Sequence, residues 1–318
     1  SRECKLILVT GATGFIGSAV VKQLSDQGVE FKCLVRTPGN ENRIQTFSPE
    51  IHYGDLLNRR SLNHVLAGTD TVINVAGTLP FGDNSEGYRR KNVGSAVNLV
   101  EAGEDAGVKK IIHVSAVGST ENNSNPFLRS KYLSENVIIR STINHTILRL
   151  PHVFGPRDSF TNHCASLMRV LPCKLIYGDP RCVLQPMHVS DVAYCIVRSA
   201  TGDDMSGKII DLVGTESISY SDLFTTIRNR FSSNLIPYCP TLEVPDFAAK
   251  IFASLWSDFS PLSFSFGQYL RSNMISSDSS VADLFDFEPR LLFNNIQHVQ
   301  RIKYKTALRV LFGDKNRW

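Results

Sequence analysis

The first half of the chain alternates between short apolar runs and segments whose apolar residues recur at helical spacing. Lys5–Thr10 is an almost wholly apolar run, as expected for a strand buried on both faces. Phe15–Ser25 follows with Phe15, Ala19, Val20 and Leu24 on one side, which predicts a helix. The remaining predicted strands are Phe31–Val35, a segment that ends near Tyr53, Thr71–Val75, Lys110–Val114 and Thr146–Leu150. The remaining predicted helices are Ser61–Leu66, Asn92–Ala106 and Lys131–Arg140. This alternation predicts an α/β fold, a doubly wound parallel sheet covered by helices on both faces.

The second half is less regular. Its pattern predicts helices at Asp191–Ala200 and Ser221–Phe231, a strand at Lys208–Val213, and a loop around a short strand between 173 and 186. Residues 296–311 close the chain as a basic amphipathic helix. We therefore expect a main domain over 1–155 and a smaller α/β lobe over 156–318, interleaved with returns to the main sheet.

A glycine-rich turn joins the first predicted strand to the first predicted helix. Thr10–Gly17 reads TGATGFIG, with Gly11, Gly14 and Gly17 at G-x-x-G-x-x-G spacing. Gly11 permits a tight turn, Gly14 lets the backbone approach a pyrophosphate, and Gly17 allows close packing of helix on strand. The free N–H groups at the helix N-terminus favour an anion. The turn predicts a Rossmann-type dinucleotide-binding domain over 1–155.

Further motifs carry a family resemblance over roughly residues 4–230. These are YGDL (53–56), NVAG (74–77), KNVG (91–94), LRLPHVFGP (148–156) and QPMHVSDVA (185–193). Together with the glycine turn, they resemble the atypical and extended short-chain dehydrogenases/reductases, which include NAD-dependent epimerases. The segments PFLRSK (126–131), VFGPRDSF (153–160) and QPMHVSDVA resemble the branch that contains the NDUFA9 accessory subunit of respiratory complex I and its bacterial homologues.

The resemblance implies a set of contacts with a nicotinamide cofactor. The implied residues are Gly11, Thr13, Gly14, Phe15, Ile16, Gly17, Asp55, Leu56, Ala76, Gly77, Lys131, Pro151 and Val153. Arg36 follows the second strand, where an acid would bind the 2′-hydroxyl of NAD. A guanidinium at that place suits the 2′-phosphate of NADP, so NADP(H) is favoured over NAD(H). The alternative is an ordinary solvated surface arginine.

The catalytic residues that the resemblance implies are only partly present. Active members use a Ser or Thr, a Tyr and a Lys, with the last two at Y-x-x-x-K spacing. Lys131 is present, but Phe127 stands where the tyrosine is expected, and Tyr132 lies about 100° away around the helix. Ser115 is either the catalytic serine or a structural hydroxyl at the strand end. In the second case Val117 occupies the catalytic place.

Two functions therefore compete. The first is an oxidoreductase or epimerase-like enzyme acting on a small molecule, with Lys131 acting directly or with His152 or His188 as acid or base. The second is an accessory subunit of complex I that binds NADPH without catalysis. Both need the same glycine turn, so that turn does not distinguish them.

The charge of the chain limits the classes of binding partner that the sequence suggests. The formal net charge of +4 is too small to suggest nucleic-acid binding. Six Lys or Arg and one acid lie between 296 and 318, so the basic excess belongs to the tail. The 296–311 helix is therefore a candidate for docking on a membrane surface or a subunit, and a solvated terminal helix is the alternative. For the aromatic stretch 247–266 the sequence leaves three alternatives open: packing into the lobe, closing over a substrate, or lying on a membrane surface.

The cysteines and the N-terminal residue give expectations about the cellular compartment of the protein. The seven cysteines are odd in number and lack a C-x-x-C pair, which favours buried free thiols over disulfides, and no metal site is expected. No stretch of about 18 apolar residues suggests a membrane-spanning helix. The sequence begins without Met. The expected location is the cytoplasm for a bacterial protein, or the matrix side of the mitochondrial inner membrane if a presequence has been removed.

Overall fold

The computed structural model describes residues 6–80, 84–170, 174–176, 179–230, 241–243, 269–276 and 281–311. The chain divides into two compact units. The first unit contains Ser1–Thr78, Asn84–Leu150 and Val189–Leu212. The second unit contains Leu79–Asp83, Pro151–His188 and Val213–Trp318.

The secondary structure follows the predicted alternation through the first half. The strands are β1 Ile7–Thr10, β2 Phe31–Val35, β3 Glu50–Tyr53, β4 Thr71–Asn74, β5 Lys110–Ala116, β6 Asn144–Leu150, β7 Val153–Phe154, β8 Lys174–Ile176, β9 Val183–Leu184, β10 Met187–His188, β11 Ile209–Asp211, β12 Ile218–Ser219 and β13 Thr241–Glu243. The helices are α1 Phe15–Asp26, α2 Arg59–Leu66, α3 Ser85–Tyr88, α4 Ser95–Ala106, α5 Pro126–Ile139, α6 Ser159–Val170, α7 Val189–Thr201, α8 Tyr220–Arg230, α9 Val281–Phe285, α10 Leu292–Asn295 and α11 Tyr304–Leu311. A π-helical turn spans Arg89–Gly94, and 3-10 turns span Asn40–Arg43, Gln45–Phe47 and Gln297–Arg301.

A seven-stranded parallel sheet forms the centre of the first unit, in the order β11-β6-β5-β4-β1-β2-β3. The strand order reverses beside β1, which is the crevice where ligands bind in such folds. β1 and β4 are buried along their whole length, which explains their continuous apolar runs. The predicted doubly wound α/β fold is confirmed.

Two buried lysines in this sheet donate hydrogen bonds to the carbonyl groups at helix C-termini. The ammonium of Lys110 in β5 donates to the carbonyls of Ser199 (2.7 Å) and Gly202 at the C-terminus of α7. Lys32 in β2 donates to the Ala67 carbonyl (2.8 Å) after α2. A cation at a helix C-terminus satisfies orphaned carbonyls and opposes the helix dipole. These contacts fix α2 and α7 against the sheet.

Helix α5 begins five residues earlier than predicted. The expected start was Lys131, but Asn125 caps the helix and Pro126 occupies its first turn. The side-chain oxygen of Asn125 accepts hydrogen bonds from the N–H groups of Phe127 (2.9 Å) and Leu128 (3.4 Å). Asn followed by Pro is a favourable helix start. Phe127 and Lys131 therefore lie on one continuous helix.

The predicted single helix over 296–311 is wrong. A 3-10 turn over Gln297–Arg301 leads to an extended residue, Ile302, and only then does α11 begin. The apolar residues Ile296, Val299 and Ile302 are spaced by three, which matches 3-10 geometry, and all three are buried within the second unit. That part of the expected apolar face is thus covered by the unit itself and is not available to a membrane or partner.

The second unit contains small sheets rather than one large one. β7 pairs with β10 in parallel, β9 with β12 antiparallel, and β8 with β13 in parallel. Helix α6 packs against α8 and α11. The aromatic stretch 247–266 lies outside the described residues. No helix in the described part of the chain is both long enough and apolar enough to cross a bilayer.

Candidate functional site

The turn between β1 and α1 contains two glycines, Gly11 and Gly17, at positions where a Cβ would collide with the backbone. Gly11 has φ +69°, and a Cβ at this position would lie 2.7 Å from the Ala76 backbone nitrogen. A Cβ at Gly17 would lie 2.0 Å from the Gly11 carbonyl oxygen. Gly14 is exposed and precedes the first helical residue, so the open N-terminus of α1 faces outward beside the turn. This cradle suits a pyrophosphate.

A pocket opens at the carboxyl ends of β1–β4, and it collects most of the predicted cofactor contacts. The predicted residues that line it are Gly11, Thr13, Gly14, Arg36, Asp55, Leu56, Ala76 and Gly77. Lining residues that the sequence did not single out include Thr37, Asn40, Thr78, Lys91 and Ser95. Phe15, Ile16 and Gly17 form the start of α1 behind the turn. Pro151 and Val153 belong to the second unit.

The turn after β3 is anchored to two helices. The Asp55 carboxylate accepts a hydrogen bond from the Leu57 N–H (3.0 Å), and the Asp55 N–H donates to the Ser61 hydroxyl (3.0 Å) in α2. The Asn98 side chain in α4 donates to the Leu56 carbonyl (2.8 Å). These bonds hold the turn in place, so its position on the pocket wall is fixed by the protein.

Lys131 is buried beside the loop that follows β4. Its ammonium donates to the Val114 carbonyl of β5 (3.2 Å). A Cβ at Gly77 would lie 2.9 Å from Lys131 Nζ, so the glycine leaves room for the ammonium. Burial lowers the pKa of Lys131 to about 8, and Glu135 opposes that effect. Lys131 thus lies close to a pocket wall and titrates within reach of neutral pH.

Phe127 occupies the tyrosine position as a packed core residue. It lies one helical turn before Lys131 and is 5% exposed. Its ring meets Tyr88 edge-on, with 5.7 Å between centroids and 68° between planes. Tyr132 is half-buried on α5. Phe127 offers no proton, and its ring fills the place that a phenol would need.

The hydroxyl of Ser115 is committed to a buried ion pair. It donates to Glu135 Oε1, and the Arg149 guanidinium binds both oxygens of the same carboxylate at 2.9 and 2.6 Å. Glu135 is 1% exposed, and its hydrogen bond raises the pKa of Arg149. Val117 is also buried. These contacts favour the structural alternative for Ser115.

Asn92, which belongs to the KNVG motif but was given no role in the sequence analysis, connects the pocket to α5. Its side-chain N–H groups donate to the hydroxyls of Ser130 (2.8 Å) and Thr78 (3.0 Å), and its oxygen accepts from the Thr78 N–H (3.3 Å). It lies in the π-helical turn, a distortion that often marks functional positions. The sequence feature that points to Asn92 is the KNVG motif, residues 91–94.

A buried chain of hydrogen bonds runs beneath the site. The Thr10 hydroxyl donates to Asn74 (2.7 Å), and Asn74 contacts His113 Nδ1 (3.0 Å). His113 Nε2 contacts the Ser134 hydroxyl (3.1 Å), which donates to the Lys131 carbonyl (2.7 Å). Burial, and secondarily the Lys131 charge, lowers the pKa of His113 to about 3. A neutral imidazole therefore joins β1, β4, β5 and α5 within the core.

The two other candidate histidines lie in the second unit. His152 Nε2 contacts the Tyr220 hydroxyl (2.6 Å), and its ring stacks on Phe160 at 4.6 Å. Burial lowers the pKa of His152 to about 3. Burial lowers the pKa of His188 to about 4, with Arg290 acting in the same direction. The contacts of His152 favour a packing role over proton transfer.

The cysteines in the described part of the chain are all free thiols. Cys33, Cys164 and Cys195 are buried, and Cys182 is half-buried. Burial raises the pKa of Cys33 to about 12, which makes it unreactive at neutral pH. Within the same residues, no three His, Cys, Asp or Glu side chains lie close enough to hold a metal ion.

The chain matches known proteins in family, in sequence and in fold. Residues 7–212 match the model of the NAD dependent epimerase/dehydratase family. The chain is 28% identical over 254 residues to the mitochondrial NADH dehydrogenase [ubiquinone] 1 alpha subcomplex subunit 9 of Mus musculus, covering 77% of this chain and 66% of that protein. It is 29% identical over 192 residues to the ceramide reductase of Caulobacter vibrioides, covering 60% of each. The chain thus spans less than two thirds of the length of these relatives.

A solved structure shows the same fold. The NADPH-dependent quinone oxidoreductase QOR2 of Escherichia coli, complexed with NADPH, superposes with a TM-score of 0.74 at 16% identity, covering 92% of this chain and 99% of that one. The sequence and structural matches agree with the resemblance read from the motifs, including its nearness to the complex I subunit.

Proposed function

The chain belongs to the NAD dependent epimerase/dehydratase family, as an atypical short-chain dehydrogenase/reductase with an NAD(P)-binding Rossmann fold, and from that premise we propose that its first unit prefers NADP(H) to NAD(H). The supporting observation is the position of Arg36, which lines the pocket directly after β2. Asp55 is the only acid among the described residues that line the pocket, and it follows β3 rather than β2. The Arg36 guanidinium at the end of β2 would pair with a 2′-phosphate, whereas an acid at that position would repel the phosphate.

The remaining residues have roles in this proposal that follow from their places. The Gly11–Gly17 turn and the N-terminus of α1 hold the pyrophosphate, and Asp55 and Leu56 hold the adenosine. Ala76 and Gly77 lie beneath the dinucleotide, and Lys131 binds the nicotinamide ribose. Pro151 and Val153 are assigned to the nicotinamide on the family resemblance alone. When bound, the nicotinamide supplies a hydride donor or acceptor.

Calorimetry with NADPH and NADH tests the cofactor assignment. Arg36→Ala is expected to weaken NADPH binding about 10- to 100-fold, because a charge-assisted contact is lost, and to leave NADH binding nearly unchanged. Arg60→Ala, which removes an exposed arginine outside the pocket, serves as the matched control. Equal losses for the two dinucleotides would defeat the NADP assignment, and no binding of either would defeat the proposal as a whole.

We infer that the bound cofactor is structural and that the protein acts as a non-catalytic subunit of an assembly. The inference is supported by Phe127, which packs against Tyr88 and has no exchangeable proton, and by Ser115, whose hydroxyl is bound to Glu135. The relative from Mus musculus is named as a subunit of NADH dehydrogenase. On this view, the protein purifies from its native source as a component of a complex, at the mitochondrial matrix side or on the cytoplasmic side in a bacterium. Recovery as a lone enzyme would contradict it.

A second candidate function, a reductase that uses Lys131 directly, is favoured by one observation. The ammonium of Lys131 has its pKa lowered to about 8 and lies beside Gly77, so it would give its proton to a carbonyl oxygen without a phenol. The relative from Caulobacter is named as a reductase. Carbonyl-dependent oxidation of NADPH by the wild-type protein, lost in Lys131→Met with NADPH binding retained, would establish this function.

A further inference from the structure

The pocket carries a second cation besides Arg36. Lys91 lines it, whereas the neighbouring Arg89 and Arg90 are exposed and do not. The described lining residues other than these two cations and Asp55 are neutral. A dinucleotide brings two negative charges on its pyrophosphate, and NADP(H) adds a 2′-phosphate. One cation at the end of β2 therefore leaves the pyrophosphate with backbone N–H groups alone.

The backbone of Lys91 is held rigidly at the pocket wall. It lies in the π-helical turn Arg89–Gly94, where the next residue, Asn92, is bound to Thr78 and Ser130. The Ser95 hydroxyl donates to the Lys91 carbonyl, which fixes the turn from its other end. Lys91 is half-buried. A lysine with a fixed backbone keeps its ammonium within a limited radius of the pocket.

Sheet order determines which phosphate Lys91 can reach. β1 lies between β4 and β2, so the glycine turn that follows β1 is flanked on both sides. Arg36 follows β2 on one side, and Lys91 belongs to the segment that follows β4 on the other. The ribose that carries the 2′-phosphate lies on the β2 side. The group that both sides share is the pyrophosphate over the glycine turn.

We propose that Lys91 binds the pyrophosphate of the dinucleotide and contributes to affinity without selecting between NADP(H) and NAD(H). This inference rests on the proposed cofactor binding and adds a residue to it. Arg36 determines selectivity, and Lys91 determines affinity common to both dinucleotides. The two cations act on different phosphates, so their effects on binding free energy add.

Titration of four ligands against Lys91→Gln tests the assignment, with Arg90→Gln as the matched control. Lys91→Gln is expected to raise the dissociation constants of NADPH, NADH and ADP-ribose by a similar factor of about ten. Adenosine 2′-phosphate, which has no pyrophosphate, is expected to bind both variants as it binds the wild type. The Lys91→Gln protein is also expected to show a shallower salt dependence of NADPH binding, because one ionic contact is gone. Arg90→Gln is expected to change none of these values.

Each other result overturns the inference. A loss confined to NADPH and adenosine 2′-phosphate would move Lys91 to the 2′-phosphate, and a loss no greater than that of Arg90→Gln would remove it from the site. If the wild-type protein binds NADPH and only the Lys91→Gln result fails, the cofactor proposal survives. If the wild-type protein binds none of the four ligands, both proposals fall together. Thermal unfolding of each variant is measured as the control that its fold is retained.

Discussion

The glycine turn and the surroundings of Lys131 both lie at the carboxyl edge of the sheet, yet they are built in opposite ways. At the turn, Gly11 and Gly17 stand where a Cβ would collide with the backbone, and the N-terminus of α1 remains open. Around Lys131, the side chains contact one another: the Phe127 ring packs on Tyr88, and the Ser115 hydroxyl donates to Glu135. The turn thus presents open backbone N–H groups, whereas Phe127 carries no exchangeable proton and the Ser115 hydroxyl is bound within the protein.

Binding and chemistry depend on different parts of the chain. The turn works through backbone N–H groups, so it tolerates no added atoms but needs no particular side chain. A proton-transfer centre depends on single hydroxyl groups, and exchanging one tyrosine for phenylalanine removes the acid while keeping the packing. The contrast predicts distinct changes in stability for substitutions in the two regions.

Gly17→Ala is expected to have the largest effect. Its Cβ would lie 2.0 Å from the Gly11 carbonyl oxygen, and neither backbone can yield without moving α1. The free energy of unfolding should fall by about 3 kcal/mol or more, with loss of dinucleotide binding. Gly14→Ala is the matched comparison, since its Cβ meets the same oxygen at 3.2 Å. It should weaken binding with little change in stability. Urea unfolding and calorimetry measure both, and a stable, binding Gly17→Ala protein would refute the account of the turn.

Glu135→Ala is expected to come next, because it leaves the Arg149 guanidinium without its bidentate partner. Removing one member of such a buried pair costs about 3 kcal/mol, while Ser115→Ala should cost only about 1 kcal/mol for its hydrogen bond. In the Glu135→Ala background, the Ser115→Ala cost should largely vanish. If Ser115→Ala instead leaves stability unchanged and abolishes an NADPH-dependent reaction, the serine is catalytic and the contrast between the two regions fails.

The pH dependence of stability should reveal the buried ammonium of Lys131. Burial sets its folded pKa at about 8, below the ordinary value of 10.5, so above pH 8 the unfolded chain binds more protons than the folded protein. Stability should therefore rise as the pH rises through this window. Relative to Lys131→Met, the cofactor-free wild-type protein should gain about 2 kcal/mol between pH 7.5 and 9.5, measured by urea unfolding. A flat difference would mean that the lysine titrates as it does in water.

The sequence predicts the sheet and the glycine turn well, because both depend on local pattern. Continuous apolar runs give β1 and β4, and the spacing of Gly11, Gly14 and Gly17 has a direct steric meaning. The start of α5 was predicted five residues too late, because its helical spacing is clear only from Lys131 onward.

Contacts between distant segments were not predictable in the same way. The direction of the Ser115 hydroxyl depends on Glu135, which lies on the following helix. The placing of Lys91 depends on a π-helical turn that Asn92 fixes through Thr78 and Ser130. The single helix predicted over 296–311 is wrong because residues spaced by three fit an α-helix nearly as well as a 3-10 turn. Only tertiary burial distinguishes the two.

Phe127→Tyr is expected to change stability least, by about 1 kcal/mol, and it tests the contrast most directly. The new hydroxyl would lie one turn before Lys131, whose positive charge lowers the pKa of a nearby phenol. If only this group is missing, carbonyl-dependent NADPH oxidation should appear, and Lys131→Met should remove it again. Phe127→Leu, which removes the ring without adding a proton donor, is the control. If Phe127→Tyr binds NADPH as the wild type does and remains inactive with a panel of aldehydes and ketones, the loss of chemistry extends beyond one hydroxyl. A single substitution would then be too small a step to connect a cofactor-binding subunit with an enzyme.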